Sequence, residues 1–263
     1  MNTLSKLFLM LAFLASGTIY AQQHFVKVGN AKKVEITNLT GEIKIVGHSV
    51  SEIQILASEL EAPPERAKGL KPLSGGGVDN SGIGLNVSEA GNVISISGAT
   101  KKSAEADYIF KVPNSIAVMV DYSSPFTSGE VVVEDFAGEF EMNALNDGVT
   151  MKNATGPVYL DLINGNINID FQSVNQKSPM SIKTINGEID ITFPSSTKSN
   201  LELYSLHGDI YTDLDIKIQK PEDEDDKGLR FMGGLSDVKC TLNGGGVKME
   251  VSTINGNLYL RKK

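Results

Sequence analysis

The sequence predicts an all-β protein whose short strands coil into a parallel β-solenoid with Asn-Gly corners, and three observations carry that prediction. Four near-copies of one phrase run through the second half: DLINGNINID (161–170), KTINGEIDIT (183–192), YSLHGDIYTD (204–213) and STINGNLYLR (252–261). Apolar residues recur with period two, as at Val34 and Ile36, Ile43 and Ile45, Ile53 and Ile55, Ile189 and Ile191, Leu258 and Leu260. That is strand patterning with one buried face. Gly129, Gly138, Gly148, Gly156 and Gly165 follow one another at 9, 10, 8 and 9 residues, and Gly165, Gly187 and Gly208 at 22 and 21. Half-coils and full coils of a repeat of about 20 residues give this rhythm.

Taken in order, the chain opens on an expected export signal over residues 1–21. Lys6 supplies the positive start, Leu7 to Ala15 the apolar stretch, and Ile19-Tyr20-Ala21 the cleavage site before Gln22. The apolar stretch is shorter than the roughly 20 residues that span a bilayer, so no stable membrane span is expected after cleavage. Residues 22–263 then form one β domain, with long loop excursions at 62–84 and 219–234. Helix signals are scarce: Pro63 and Pro64 limit the segment 59–70 to one short turn. Lys111-Val112-Pro113-Asn114 marks the entry to the most regular block.

Stacked repeats place like on like, so inward Ile, Val, Leu and Met form ladders while each coil bonds its backbone to the next. Asn164-Gly165, Asn186-Gly187, His207-Gly208 and Asn255-Gly256 are expected to turn the chain through left-handed backbone angles. Asn-Gly is also the favoured hairpin turn, which leaves antiparallel pairing as the structural rival.

Composition narrows the function. The formal charge is −8, and −9 once the signal's Lys6 is removed. Nucleic acid is thereby disfavoured as a partner, because phosphate attraction needs concentrated Lys and Arg. The only cysteine, Cys240, cannot form an internal disulfide and is expected as a small buried hydrophobe in a strand.

The succession YIFKVPNSIAVMVDY (108–122), VVVEDFAGEFEMNALNDGVTMKNATGPVYLDLINGNINID (131–170) and the later ING repeats resembles the putative-adhesin β-strand-repeat family of exported bacterial proteins. The signal followed by Ala21-Gln22-Gln23 is similar to those of Bacteroidetes chains. The resemblance covers about half of the mature chain. It implies an extracytoplasmic, right-handed solenoid of adhesin-like character without catalytic residues, in the periplasm, on the outer surface or outside the cell.

Positions one and three after each corner glycine are candidates for recognition. They include Tyr159, Asn168, Asp190, Tyr211 and Tyr259, read as an outward strip on stacked coils. Aromatic faces stack on sugar rings and amides bond sugar hydroxyls, so a glycan or a cell-envelope protein is the expected partner. Outward positions of any solenoid must also be polar, which is the plainer account of the strip. No cofactor, metal or catalytic residue is expected. The run Glu222-Asp223-Glu224-Asp225-Asp226 invites calcium but departs from the EF-hand pattern at Lys227 and Gly234, which favours a solvated acidic loop.

Two rivals remain. One is a carbohydrate-active β-helix enzyme, a polysaccharide lyase or hydrolase, with Glu188, Asp190, Asp209 and Asp213 approaching one another. Against it, arginine occurs only at Arg66, Arg230 and Arg261, none of them beside these acids in sequence. The other rival is a periplasmic binding or scaffold protein without an adhesive role.

Overall fold

The computed structural model describes residues 22–219 and 236–263, apart from 59, 61–63, 72, 75–76, 124 and 126–128. The expected signal at 1–21 and the acidic run 222–226 lie outside the described residues.

The chain begins with β1 (Gln22–Lys27), β2 (Lys33–Thr37), β3 (Ile43–His48), β4 (Glu52–Ala57), β5 (Leu73–Ser74), β6 (Gly77–Val78), β7 (Leu85–Ala90) and β8 (Val93–Gly98). The regular middle holds β9 (Tyr108–Pro113), β10 (Ala117–Tyr122), β11 (Glu130–Glu134), β12 (Phe140–Ala144), β13 (Gly148–Ala154), β14 (Val158–Asn164), β15 (Ile167–Phe171), β16 (Met180–Asn186) and β17 (Ile189–Phe193). Last come β18 (Ser199–Ser205), β19 (Ile210–Thr212), β20 (Ile216–Ile218), β21 (Ser236–Leu242), β22 (Val247–Asn255) and β23 (Leu258–Lys262).

Two large mixed sheets result. One has ten strands in the order β1-β4-β9-β3-β11-β13-β15-β17-β23-β19, the other eleven in the order β20-β21-β18-β22-β16-β14-β12-β10-β2-β8-β7, while β5 and β6 pair separately. From β10 to β17 successive strands alternate between the sheets, and each of β10 to β15 pairs in parallel with the strand two places on. The period-two pattern explains the layering, because every second residue points between the sheets. Val120, Met142, Leu160, Ile182, Val251 and Leu203 stack from one sheet and Val149, Ile167, Ile189 and Leu258 from the other, all essentially without exposure. Phe171 and Phe193 stack with ring centroids 5.6 Å apart. Each such buried side chain contributes roughly 1.5–3 kcal/mol relative to exposure.

The expectation of parallel pairing throughout needs correction at both ends. β4 pairs antiparallel with β9 and β1, β7 with β8, and β21 with β18 and β20. An open parallel edge invites pairing with other chains, and an antiparallel strand laid over it covers its backbone groups. Stacking order also departs from chain order. The strand pairs follow one another as β8/β9, β2/β3, β10/β11, β12/β13, β14/β15, β16/β17, β22/β23 and β18/β19. Thus an early pair and the final pair are both wedged between pairs formed elsewhere in the chain.

The corners hold for another reason than the one expected. Among the described residues the left-handed non-glycine ones are Asn38, Asp135, Asn153 and Asn243, not the asparagines of the ING repeats, and Gly165, Gly187, Gly208 and Gly256 lack positive φ too. These glycines are required by close approach: a Cβ on Gly187 would strike the Gly165 carbonyl, one on Gly256 that of Gly187, and one on Gly208 that of Gly256. The asparagines form an amide ladder. Asn164 Nδ2 donates to Asn146 Oδ1 at 3.0 Å, Asn186 to Asn164 at 2.7 Å and Asn255 to Asn186 at 2.6 Å. Two residues earlier, in three of the four repeats, a buried hydroxyl completes the corner, where the first repeat has Leu162. Thr184 donates to the Gly165 carbonyl at 3.0 Å, Thr253 to that of Gly187 at 3.0 Å and Ser205 to that of Gly256 at 2.9 Å.

Elsewhere the sequence reading and the structure largely coincide. The segment 59–70 holds one short 3-10 turn at Glu65–Ala67. An unforeseen four-residue helix, Lys101–Ala104, is capped reciprocally by Thr100 and Ser103. Cys240 is buried in β21, and burial pushes its thiol up from the usual range. Among the described residues no helix is long and apolar enough to cross a membrane.

Candidate functional site

The outward face of the ten-stranded sheet carries an in-register row across β13, β15, β17, β23 and β19. Thr150 stands opposite Asn168, Asn168 opposite Asp190, Asp190 opposite Tyr259, and Tyr259 opposite Tyr211. Four of the five expected strip residues therefore lie side by side. Tyr159 does not join them: it sits in β14 on the other sheet, between Glu141 and Ser181. Glycines spaced by half a coil precede strands of alternate sheets, so a column read from every glycine mixes two faces.

Tyr211 and Tyr259 are stacked, with ring centroids 5.5 Å apart and planes inclined by 13°. Tyr211 is 50% exposed, and its strand β19 ends the sheet, so no strand lies beyond it among the described residues. Its hydroxyl donates to Asp209 Oδ2 at 3.1 Å, a bond to the neutral phenol that raises its pKa. Asn257 Nδ2 donates to the Tyr259 hydroxyl at 3.0 Å, and that hydroxyl donates to Glu188 Oε1 at 3.4 Å.

Beside the tyrosines Arg261 grips Asp190. Its Nε reaches Oδ1 at 2.9 Å and Oδ2 at 3.0 Å, and its Nη2 reaches Oδ2 at 2.9 Å. The guanidinium carbon also lies 5.5 Å from the centroid of the Tyr259 ring, within cation–π reach. The Asp190 carboxylate holds the Arg261 pKa above its usual value. This corrects the sequence reading, which found no arginine beside these acids. The final strand β23 is wedged against β17, and that brings Arg261 to Asp190 across 71 positions of sequence.

The surface is flat and mostly acidic. Asp190 and Asp213 flank the Arg261 guanidinium, while Glu188 and Asp209 lie at the hydroxyls of Tyr259 and Tyr211. Depressions among the described residues lie away from it. One of about 390 Å³ is lined by Thr37, Asn38, Asp121 and Tyr122, and another of about 190 Å³ by Asp161, Lys183, Tyr204 and Ile254. Tyr122, which lines the first, donates its hydroxyl to the Gly41 carbonyl. Among the described residues no group of three His, Cys, Asp or Glu side chains is placed to hold a metal ion. An open row of this kind suits a chain laid along it better than an enclosed small molecule.

No protein-family model matches the chain, and no curated protein matches it. Two crystal structures are similar in outline. A putative cell adhesion protein from Clostridium sporogenes is 13% identical with a TM-score of 0.44, over 92% of this chain and 100% of that one. A putative adhesin from Bacteroides fragilis is 11% identical with a TM-score of 0.39, over 94% of this chain and 98% of that one.

Proposed function

We propose that this chain is a non-enzymatic, adhesin-like binding module of the cell envelope, and that the Tyr211–Tyr259 row is its glycan-binding surface. The observation that carries the reading is the stacked tyrosine pair, Tyr211 exposed and Tyr259 half-buried, continued in register by Asp190 and Asn168. A sugar ring stacks its C–H face on an aromatic face, and neighbouring carboxylates and amides take its hydroxyls. Beside the row Glu188, Asp209 and Asp213 add carboxylates that Arg261, held by Asp190, does not offset, and they repel uronates and sialic acids, so the ligand is a neutral or amino-sugar chain. The alternating stack of strand pairs is on this reading a right-handed β-solenoid, the hand that parallel crossover connections overwhelmingly take. The sequence pattern of residues 1–21 supports export.

A panel of neutral, amino and acidic oligosaccharides tests the binding class. Retention of neutral or amino sugars that is lost in Tyr211→Ala/Tyr259→Ala supports it, and exclusive retention of acidic sugars contradicts it.

Arg261 among the acids favours a second reading, a polysaccharide lyase, because such chemistry uses a basic residue beside carboxylates. The bidentate grip of Asp190 leaves Arg261 little freedom to act on a substrate proton. Release of unsaturated oligosaccharide from a polysaccharide would establish the lyase in place of the binding module.

A further inference from the structure

The other sheet carries an aliphatic row that the glycan reading does not use. Ile163, Ile185 and Ile254 occupy the same outward position of β14, β16 and β22 and are 39%, 39% and 37% exposed. Half-buried Leu145 and Leu206 follow β12 and β18 at the two ends of the row, each bonded through its amide to the next strand pair. The stripe crosses five neighbouring strands, or about 19 Å at the usual strand spacing. Strand propensity does not demand it, since other outward rows of the same sheet are polar, such as Tyr159, Ser181, Glu250 and Glu202.

The flanks of the stripe decide what covers it. On one side runs the uncharged ladder Asn146, Asn164, Asn186 and Asn255. On the other runs the row Asn143, Asp161, Lys183, Ser252 and Tyr204. Asp161 is exposed and makes no hydrogen bond or ion pair among the described residues, while Lys183 bonds Glu250 at 2.8 Å and keeps 41% of its side chain exposed. Opposite charges thus stand on adjacent strands in register.

We propose that this face docks on the same face of a second copy of the chain. A two-fold axis along the strands, passing between β14 and β16, exchanges the positions of these two strands between copies. It lays Ile163 on Ile185 of the second copy, Leu145 on Ile254, Asn164 on Asn186, and Asp161 on Lys183. The pairing is self-complementary in shape, amide bonding and charge, which is what an isologous interface requires. At a sheet-to-sheet distance of about 10 Å the outward side chains of both copies interdigitate. The depression of about 190 Å³ beside Lys183 and Ile254 then receives Leu145 of the second copy. Glu141 and Glu250 meet at the rim, each with its own lysine, Lys33 at 3.3 Å and Lys183 at 2.8 Å. The patch is smaller than the roughly 800 Å² per partner of a standard interface, so the dimer is weak and reversible. It leaves the tyrosine row free and gives two such rows per particle.

Sedimentation velocity across a concentration series tests this. The purified chain is expected to pass from monomer to dimer as concentration rises, and Ile185→Asp to remain monomeric. Asp161→Lys and Lys183→Asp should each weaken the dimer several-fold, and the double exchange Asp161→Lys/Lys183→Asp should restore it, because the axis rebuilds the pair. Unchanged circular dichroism checks the fold of each variant, with Asp161→Asn as the milder substitute. A monomer at every concentration, or a dimer indifferent to the exchange, would overturn the proposal.

Discussion

Gly187 lies so close over Gly165 that a Cβ on the first would drive into the carbonyl oxygen of the second. The same contact recurs at Gly256 over Gly187 and Gly208 over Gly256, so the repeated glycine marks where one strand pair rests on the next. Gly187→Ala is therefore expected to destabilise the protein by about 1–3 kcal/mol, the usual cost of forcing an atom into packed space. That outweighs the roughly 0.4–1 kcal/mol gained when alanine restricts an unfolded chain. Urea denaturation midpoints check it; a midpoint at or above that of the parent would show that the contact yields.

The amide ladder makes a graded prediction. Asn186 both donates to Asn164 and accepts from Asn255, whereas Asn255 at the ladder's other end only donates to Asn186. At about 0.5–1.5 kcal/mol per bond, Asn186→Ala should cost roughly twice as much as Asn255→Ala. Equal losses in denaturant titrations would mean that the ladder is incidental.

Acid should loosen the surface in a defined window. Hydrogen bonding to Lys44 lowers the pKa of Glu134, and that to Lys248 lowers that of Glu202. A depressed acid contributes stability above its unfolded pKa, near 4.3, and loses it as pH falls through its lower folded pKa. Both pairs are largely exposed, so each contributes only about 0–1 kcal/mol. Glu134→Gln/Glu202→Gln should flatten the decline of stability below pH 4.3, measured by thermal melting, and leave the curve above it parallel to the parent's.

Removal of the last 17 residues, 247–263, distinguishes the wedged stack from one laid down in chain order. Here β22 and β23 separate β16/β17 from β18/β19, and Met249, Val251, Leu258 and Leu260 are buried between them. Truncation after Gly246 should cost the cooperative transition of the whole C-terminal half. A shortened chain that merely melted slightly earlier would argue for a terminal, dispensable coil.

The period of two and the ING repeats made the all-β layering and the inward ladders legible, down to residues such as Ile167 and Ile189. The insertion of β22/β23 was not legible, because KTINGE and STINGN present nearly identical surfaces and either fits beside the other. The corner residues were recognised but misassigned in role: Asn186 bonds its neighbours' amides, and Gly187 serves close approach. Of the strip, Asn168, Asp190, Tyr211 and Tyr259 share one row because each follows a glycine that precedes the same sheet. Tyr159 falls outside that row because Gly156 precedes the other sheet. Arg261 was missed because its partner Asp190 is distant in sequence and near only through the wedge.

The central claim is that the tyrosine row binds sugar, and calorimetric titration with the best-retained neutral or amino oligosaccharide tests it most directly. Tyr211→Ala and Tyr259→Ala should each weaken binding by about 1–3 kcal/mol, in the range of a lost stacking aromatic or interface anchor. Tyr159→Ala, on the other sheet, should leave it unchanged. Binding that survived both row substitutions, or that fell only with Tyr159→Ala, would contradict the account.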